Sequence, residues 1–334
     1  MKGFELRILL IRDGRYEVAS RRAHVAHRQF LNRIFGYADV FIYGPKETAI
    51  NPKHISPLTY RSSITARDLV QTFRPDLFLF WTHTLSKDVI PQGLHLIDSI
   101  PKIIVEIDLF FVKDWNWYRR VGMDLMLIRG VYNITPIPSV RLPFSFNEKV
   151  LGVNQKIRFQ KRHTNIGFCG SGVTSNNKNS YYSVRRKAVK ELSKKSFFAN
   201  MGYQGPKRYQ KILSAFKGML SCSAPPRYSP VAKTFEIMGS GAICITSYMR
   251  DADILFGDNS VNRTHFVYRD DCSDLVGICE YVLKSRNRAE MATVSKNAIE
   301  VINKYHTHDL RMKEMMSIFQ AILSGESLPK RWGR

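Results

Sequence analysis

The 334 residues, 44% of them hydrophobic, suffice for two α/β domains with a buried core in each, which excludes a disordered or fibrous chain. The 51 Lys and Arg against 28 Asp and Glu leave +23, a surface field that predicts a polyanionic partner. No run approaches the roughly 18 uninterrupted apolar residues of a membrane span, and the opening residues lead straight into a strand-like Ile8 to Ile11 without a signal peptide, so an intracellular protein is expected.

The elements read as two successive α/β patterns. Leu6 to Ile11, a helix-like Ser20 to Phe35 and Ala38 to Tyr43 make a βαβ opening. Apolar runs at Asp76 to Thr82, Lys102 to Leu109 and Leu125 to Arg129 continue it as a parallel sheet. Pro136, Pro138 and Pro143 mark Thr135 to Phe146 as a linker. Beyond it, Asn165 to Cys169, Gly170-Ser171-Gly172 and a helix over Ser183 to Lys195 repeat the strand, turn, helix order. Tyr209 to Phe216, a helix over Lys233 to Ser240, strands Ala242 to Thr246 and His265 to Tyr268, and long helices from Ser273 complete it. The predicted domains are 1–148, an N-terminal Rossmann-like acceptor domain, and 149–308, a C-terminal Rossmann-like donor domain. A C-terminal helix and basic tail, 309–334, fold back toward the first.

Five cysteines (Cys169, Cys222, Cys244, Cys272, Cys279) show no Cys-x-x-Cys pair and read as reduced core residues. His306 and His308 have no partners at a metal-ligand spacing, so no metal is expected. The loop after Gly170 has neither dinucleotide nor P-loop glycine spacing. Placed after a strand of a parallel sheet, Gly170 and Ser171 suit contact with a phosphate.

The densest chemistry lies between Pro225 and Ala242. A proline-rich loop with Arg227 and Tyr228 feeds a short helix whose first-turn amides can receive a diphosphate, with Lys233 as countercharge and Thr234 beside it. Glu236, one turn on, can accept hydrogen bonds from ribose hydroxyls. Gly239 and Gly241 end the helix and turn the backbone into the next strand.

The run Lys233-Thr234-Phe235-Glu236-Ile237-Met238, followed by Gly241-Ala242 and a strand, resembles the donor-site motif of group 1 (GT-B) glycosyltransferases, and most closely the spore-maturation-like branch. Leu142 to Ser145, Ile166 to Ser171 and the tail His306-Thr307 with Arg311 extend the likeness over about half the chain. It implies two Rossmann-like domains with a cleft between them, and a nucleotide-sugar, such as a UDP-sugar, as co-substrate with no tightly bound cofactor. The activity implied is a hexosyl- or pentosyltransferase in the cytoplasm, or the host cytoplasm if phage-encoded. Tyr228 stands where many members carry a first glutamate.

Candidates for the base that deprotonates the acceptor follow the strands of the first domain: Asp108 first, then Asp13 and His83. Residues 152–227 hold 16 Lys and Arg against the single acid Glu191, a local +15, more than a diphosphate requires. Arg185, Arg186, Lys187, Lys207 and Arg208 are the predicted polyanion contacts, with Trp115, Trp117, Tyr118, Tyr181 and Tyr182 available to wedge or stack against bases. DNA with hydroxymethylated pyrimidines, the acceptor of certain phage glycosyltransferases, fits this charge. A lipid-linked or envelope glycan at an anionic membrane surface is the alternative acceptor, and a nonenzymatic nucleic-acid-binding protein on the same scaffold is the alternative from another class.

Overall fold

A computed structural model of the chain describes residues 6–12, 29–45, 60–82, 89–106, 114–130, 135–170, 182–223, 228–329 and 332. Asp13, His83, Asp108, Ser171, Tyr181 and Arg227 lie outside them. Two compact units form, one from Met1–Pro143 together with Met312–Arg334 and one from Phe144–Arg311. Each is built on an all-parallel sheet, the α/β organisation expected.

The first sheet comprises β1 (Arg7–Arg12), β2 (Asp39–Tyr43), β3 (Leu77–Thr82), β4 (Lys102–Glu106), β5 (Leu125–Ile128) and β6 (Ser139–Arg141), in the order β2-β1-β3-β4-β5-β6. Ile8 to Ile11 and Ile103 to Val105 are wholly buried. Their uninterrupted apolar sequence is the mark of strands covered on both faces. The proline-marked stretch is more than a linker: Ser139–Arg141 pairs with β5 as a sixth parallel strand. Pro138 and Pro143 flank it, tolerated because β6 is an edge strand.

The end of the chain belongs to this first unit. Arg141 donates to the Trp332 carbonyl at 3.3 Å, and the Trp332 indole N–H donates to Glu314. Arg129 lies over the Phe30 ring at 4.4 Å and donates to the Pro143 carbonyl at 2.9 Å, so its buried guanidinium fixes the exit of β6.

The second sheet comprises β7 (His163–Phe168), β8 (Phe198–Asn200), β9 (Phe216–Leu220), β10 (Ile243–Ser247) and β11 (His265–Tyr268), in the order β11-β10-β9-β7-β8. The chain runs from β7 outward to β8, then crosses back to β9 on the other side of β7. That reversal opens a crevice outside the carboxyl ends of β7 and β9, where open α/β sheets bind ligands. Helix Ala232–Gly239 leads away from β9 at this point, and its residues Thr234 to Gly239 are all buried.

Gly239 is required there by packing. A Cβ on it would lie 2.4 Å from a ring carbon of the fully buried Phe146. Gly239→Ala is therefore expected to cost about 1–3 kcal/mol of overpacking, read as a fall in Tm. Gly241, at φ +77°, makes the left-handed turn from helix to β10.

Candidate functional site

Of the residues singled out in the sequence, Gly170, Lys233, Thr234 and Glu236 stand at the switch point of the second sheet. Lys233, in the first turn of Ala232–Gly239, reaches across to β7: its Nζ donates to the Cys169 carbonyl and lies 4.8 Å from the Phe168 ring centre. Gly170 makes room for it, since a Cβ there would sit 2.6 Å from the ammonium. One side chain thus ties the helix start to the end of β7 and leaves a positive charge in the crevice.

Burial and the neighbouring Arg185 guanidinium pull the Lys233 ammonium down to about 8. Arg185 comes from the first turn of helix Ser183–Leu192, its guanidinium 4.8 Å over the Tyr182 ring. Two cations that repel each other across a half-buried crevice are favourable once an anion lies between them. The positive end of Ala232–Gly239 adds to the same field, for its N-cap, Val231, supplies no side-chain acceptor.

Glu236 is 9% exposed and accepts the Tyr209 hydroxyl on Oε2 at 2.6 Å. Burial pushes its carboxyl up, while the Tyr209 hydrogen bond and the Lys233 charge hold it down. The carboxylate is oriented by Tyr209, from helix Pro206–Ala215, and retains acceptor capacity for hydroxyls. Thr234 is fully buried, its hydroxyl 3.1 Å from that of Ser221, so it fastens the helix to the end of β9.

Tyr228 adopts φ +44°, a conformation uncommon for a non-glycine residue, and its ring packs edge-on to Tyr248 at 5.6 Å. Its hydroxyl stands by the Asp270 carboxylate just after β11 and lowers that acid's pKa, against the larger upward push of burial. Asp270 Oδ1 is buried with no hydrogen-bond partner among the described residues. A carboxylate is thus present beside Tyr228. Sequence reasoning missed both Tyr209 and Asp270. Asp270 had one signal, its position directly beyond a strand, whereas nothing in the spacing links Tyr209 to Glu236.

The basic residues divide. Arg185 and Arg208 lie within electrostatic reach of Lys233 and Cys169 respectively, at the crevice itself. Lys187 faces Asp271 and Cys272. Lys207 and Arg208 are exposed on the first turn of Pro206–Ala215, and Arg186 is partly exposed. Arg162 leaves the binding account altogether: it is 4% exposed and donates to the carbonyls of Leu213 at 3.0 Å and Ser240 at 2.5 Å. It clamps the end of helix Ala232–Gly239.

Of the aromatics, Tyr118 cannot stack on a base. It is 2% exposed and donates to Glu106 Oε2 at 2.9 Å, while Trp117 packs edge-on against it. Trp115 is exposed. The terminal His306-Thr307 and Arg311 motif is structural. His306 contacts the Leu255 carbonyl at 2.6 Å and Arg311 at 2.7 Å, and its ring lies 5.2 Å from that of Phe235 in helix Ala232–Gly239. Among the described residues no helix is long and apolar enough to cross a membrane.

Residues 185–317 match the Glycosyl transferase-like family. No curated protein matches the chain. Among solved structures, a glycosyltransferase from Rickettsia africae is similar over 96% of this chain and 100% of its own, at 12% identity and a TM-score of 0.62. Anabaena Alr3699/HepE, solved with UDP and glucose, is similar over 95% of this chain and 100% of its own, at 11% identity and TM-score 0.61. An α-glucosyltransferase solved with UDP and a 13-mer DNA is similar over 95% and 99%, at 11% identity and TM-score 0.58. At these identities the likeness is one of fold: the chain has the two-sheet GT-B architecture. The spore-maturation branch finds no separate support.

Proposed function

We propose that the chain transfers a sugar from a nucleotide-sugar to the hydroxymethyl group of a modified pyrimidine in DNA. The donor half rests on one observation above others: Lys233, Arg185 and the opening of Ala232–Gly239 converge at the switch point of the sheet, with Glu236 held by Tyr209 one turn away. The cations and helix amides receive the diphosphate, and the Glu236 carboxylate accepts the ribose hydroxyls. As the bond from the anomeric carbon to the diphosphate oxygen breaks, negative charge grows on the leaving group where Lys233 and Arg185 meet it.

Asp270, beside Tyr228, takes up hydroxyls of the transferred sugar. A general base, Asp108 first and Asp13 or His83 next, removes the acceptor proton as its oxygen attacks. The acceptor assignment draws on the +23 charge and on the DNA bound by one structural neighbour.

Mass spectrometry of hydroxymethylated and unmodified DNA, each incubated with the protein and a mixed pool of sugar nucleotides, tests both halves. A hexose or pentose mass gain confined to the hydroxymethylated DNA is the expected result. Donor hydrolysis without DNA modification would move the acceptor to a glycan, and neither would leave a nonenzymatic binder.

A further inference from the structure

The donor crevice occupies the carboxyl edge of the second sheet; the opposite edge carries a second cationic hollow. An open pocket of about 70 Å³ lies at the start of β7 and β9, with Phe159 and Val282 as apolar wall. β9 places Lys217 there, at the other end of the strand from Leu220, so roughly 10–15 Å of strand separates it from the switch point.

Lys217 is 7% exposed, yet its ammonium donates only to the Thr164 hydroxyl, at 3.0 Å, and to no carboxylate among the described residues. Burying an ammonium without a counter-ion is costly. Lys284, Ser285 and Arg288 line the same pocket. Burial, then the Arg288 charge, lower the Lys217 pKa, the mark of cations crowded together without an acid. Arg288 also opens the long helix Arg288–Tyr305, whose N-cap, Asn287, makes no side-chain cap bond and whose first turn carries Glu290.

We infer that this pocket binds a single phosphate group, a free phosphate or phosphomonoester dianion, held by Lys217, Lys284 and Arg288 with the Thr164 and Ser285 hydroxyls as further donors. Three cations over a hollow this size suit a compact dianion. The site is independent of the donor crevice and does not depend on the transferase reading.

The test is thermal unfolding in the Lys233→Ala background, which disables the donor crevice, with inorganic phosphate titrated at constant ionic strength. Tm is expected to rise saturably with phosphate and not with chloride. Lys217→Met removes the buried charge; it is expected to fold with an unliganded Tm no lower than its parent and to lose the phosphate response. Arg288→Gln, at an exposed position, is expected to weaken the response roughly tenfold, the loss of one charge-assisted contact. A 5′-phosphorylated oligonucleotide that competes with phosphate identifies a nucleic-acid end as the source, and one that fails to compete identifies the free ion. Equal phosphate responses in parent and both variants, or competition by the unphosphorylated oligonucleotide to the same extent, would overturn the inference.

Discussion

Replacing Lys233 with Met is expected to lower kcat/KM for the nucleotide-sugar about 10²- to 10³-fold, the usual cost of losing one preorganised group that meets developing charge. The Met stem keeps the packing against Phe168, so Tm should change little, and the loss is one of charge. The pH profile gives a second readout. Lys233 titrates near 8 because burial and Arg185 disfavour its proton. The charged form binds the diphosphate, so kcat/KM of the wild type falls as pH rises through about 8. Arg185→Gln removes a repulsion, favours the proton and moves this alkaline limb to higher pH, even as it weakens donor binding. In Lys233→Met the limb is absent. An unchanged limb in both variants would assign it to another group.

Glu236→Ala is expected to raise KM for the donor about 10- to 100-fold, because hydrogen bonds to a charged acceptor contribute about 1.5–3 kcal/mol each. The fold should survive, since Phe235, Ile237 and Met238 supply the buried apolar surface of this helix. Tyr209→Phe separates the two roles of the carboxylate. It leaves Glu236 able to accept ribose hydroxyls but removes the 2.6 Å bond that orients it, so a smaller rise in KM is expected. If Glu236→Ala unfolds the protein and Tyr209→Phe leaves KM untouched, the Glu236–Tyr209 pair is a packing device and the ribose contact lies elsewhere.

Lys233 and Glu236 were readable in the chain, because helix Ala232–Gly239 is a local object. Its first-turn lysine, its glutamate one turn later and its glycine exit all fall within ten residues. The β-strands were equally plain, as parallel strands covered on both faces are written in continuous apolar runs such as Ile8 to Ile11. What was hidden is what the sheet order brings together. Arg185 reads as one member of a basic helical face, and only the crossing from β8 back to β9 sets it against Lys233. Tyr209, on helix Pro206–Ala215, and Asp270, just after β11, approach Glu236 and Tyr228 from distant parts of the sequence. The short strand Ser139–Arg141 was hidden by its prolines, which mark an edge as readily as a linker. Arg162 and Tyr118 show the converse: residue types suited to binding, spent on holding backbone carbonyls and a buried carboxylate.

The central claim is that the switch point of the second sheet receives a nucleoside diphosphate. Calorimetry with a panel of nucleoside diphosphates, UDP among them, tests it most directly, using the wild type and Glu236→Ala side by side. The account predicts that at least one member binds the wild type with one-to-one stoichiometry and binds the variant at least about tenfold more weakly. No binding by any member of the panel, or equal binding by both proteins, would contradict it.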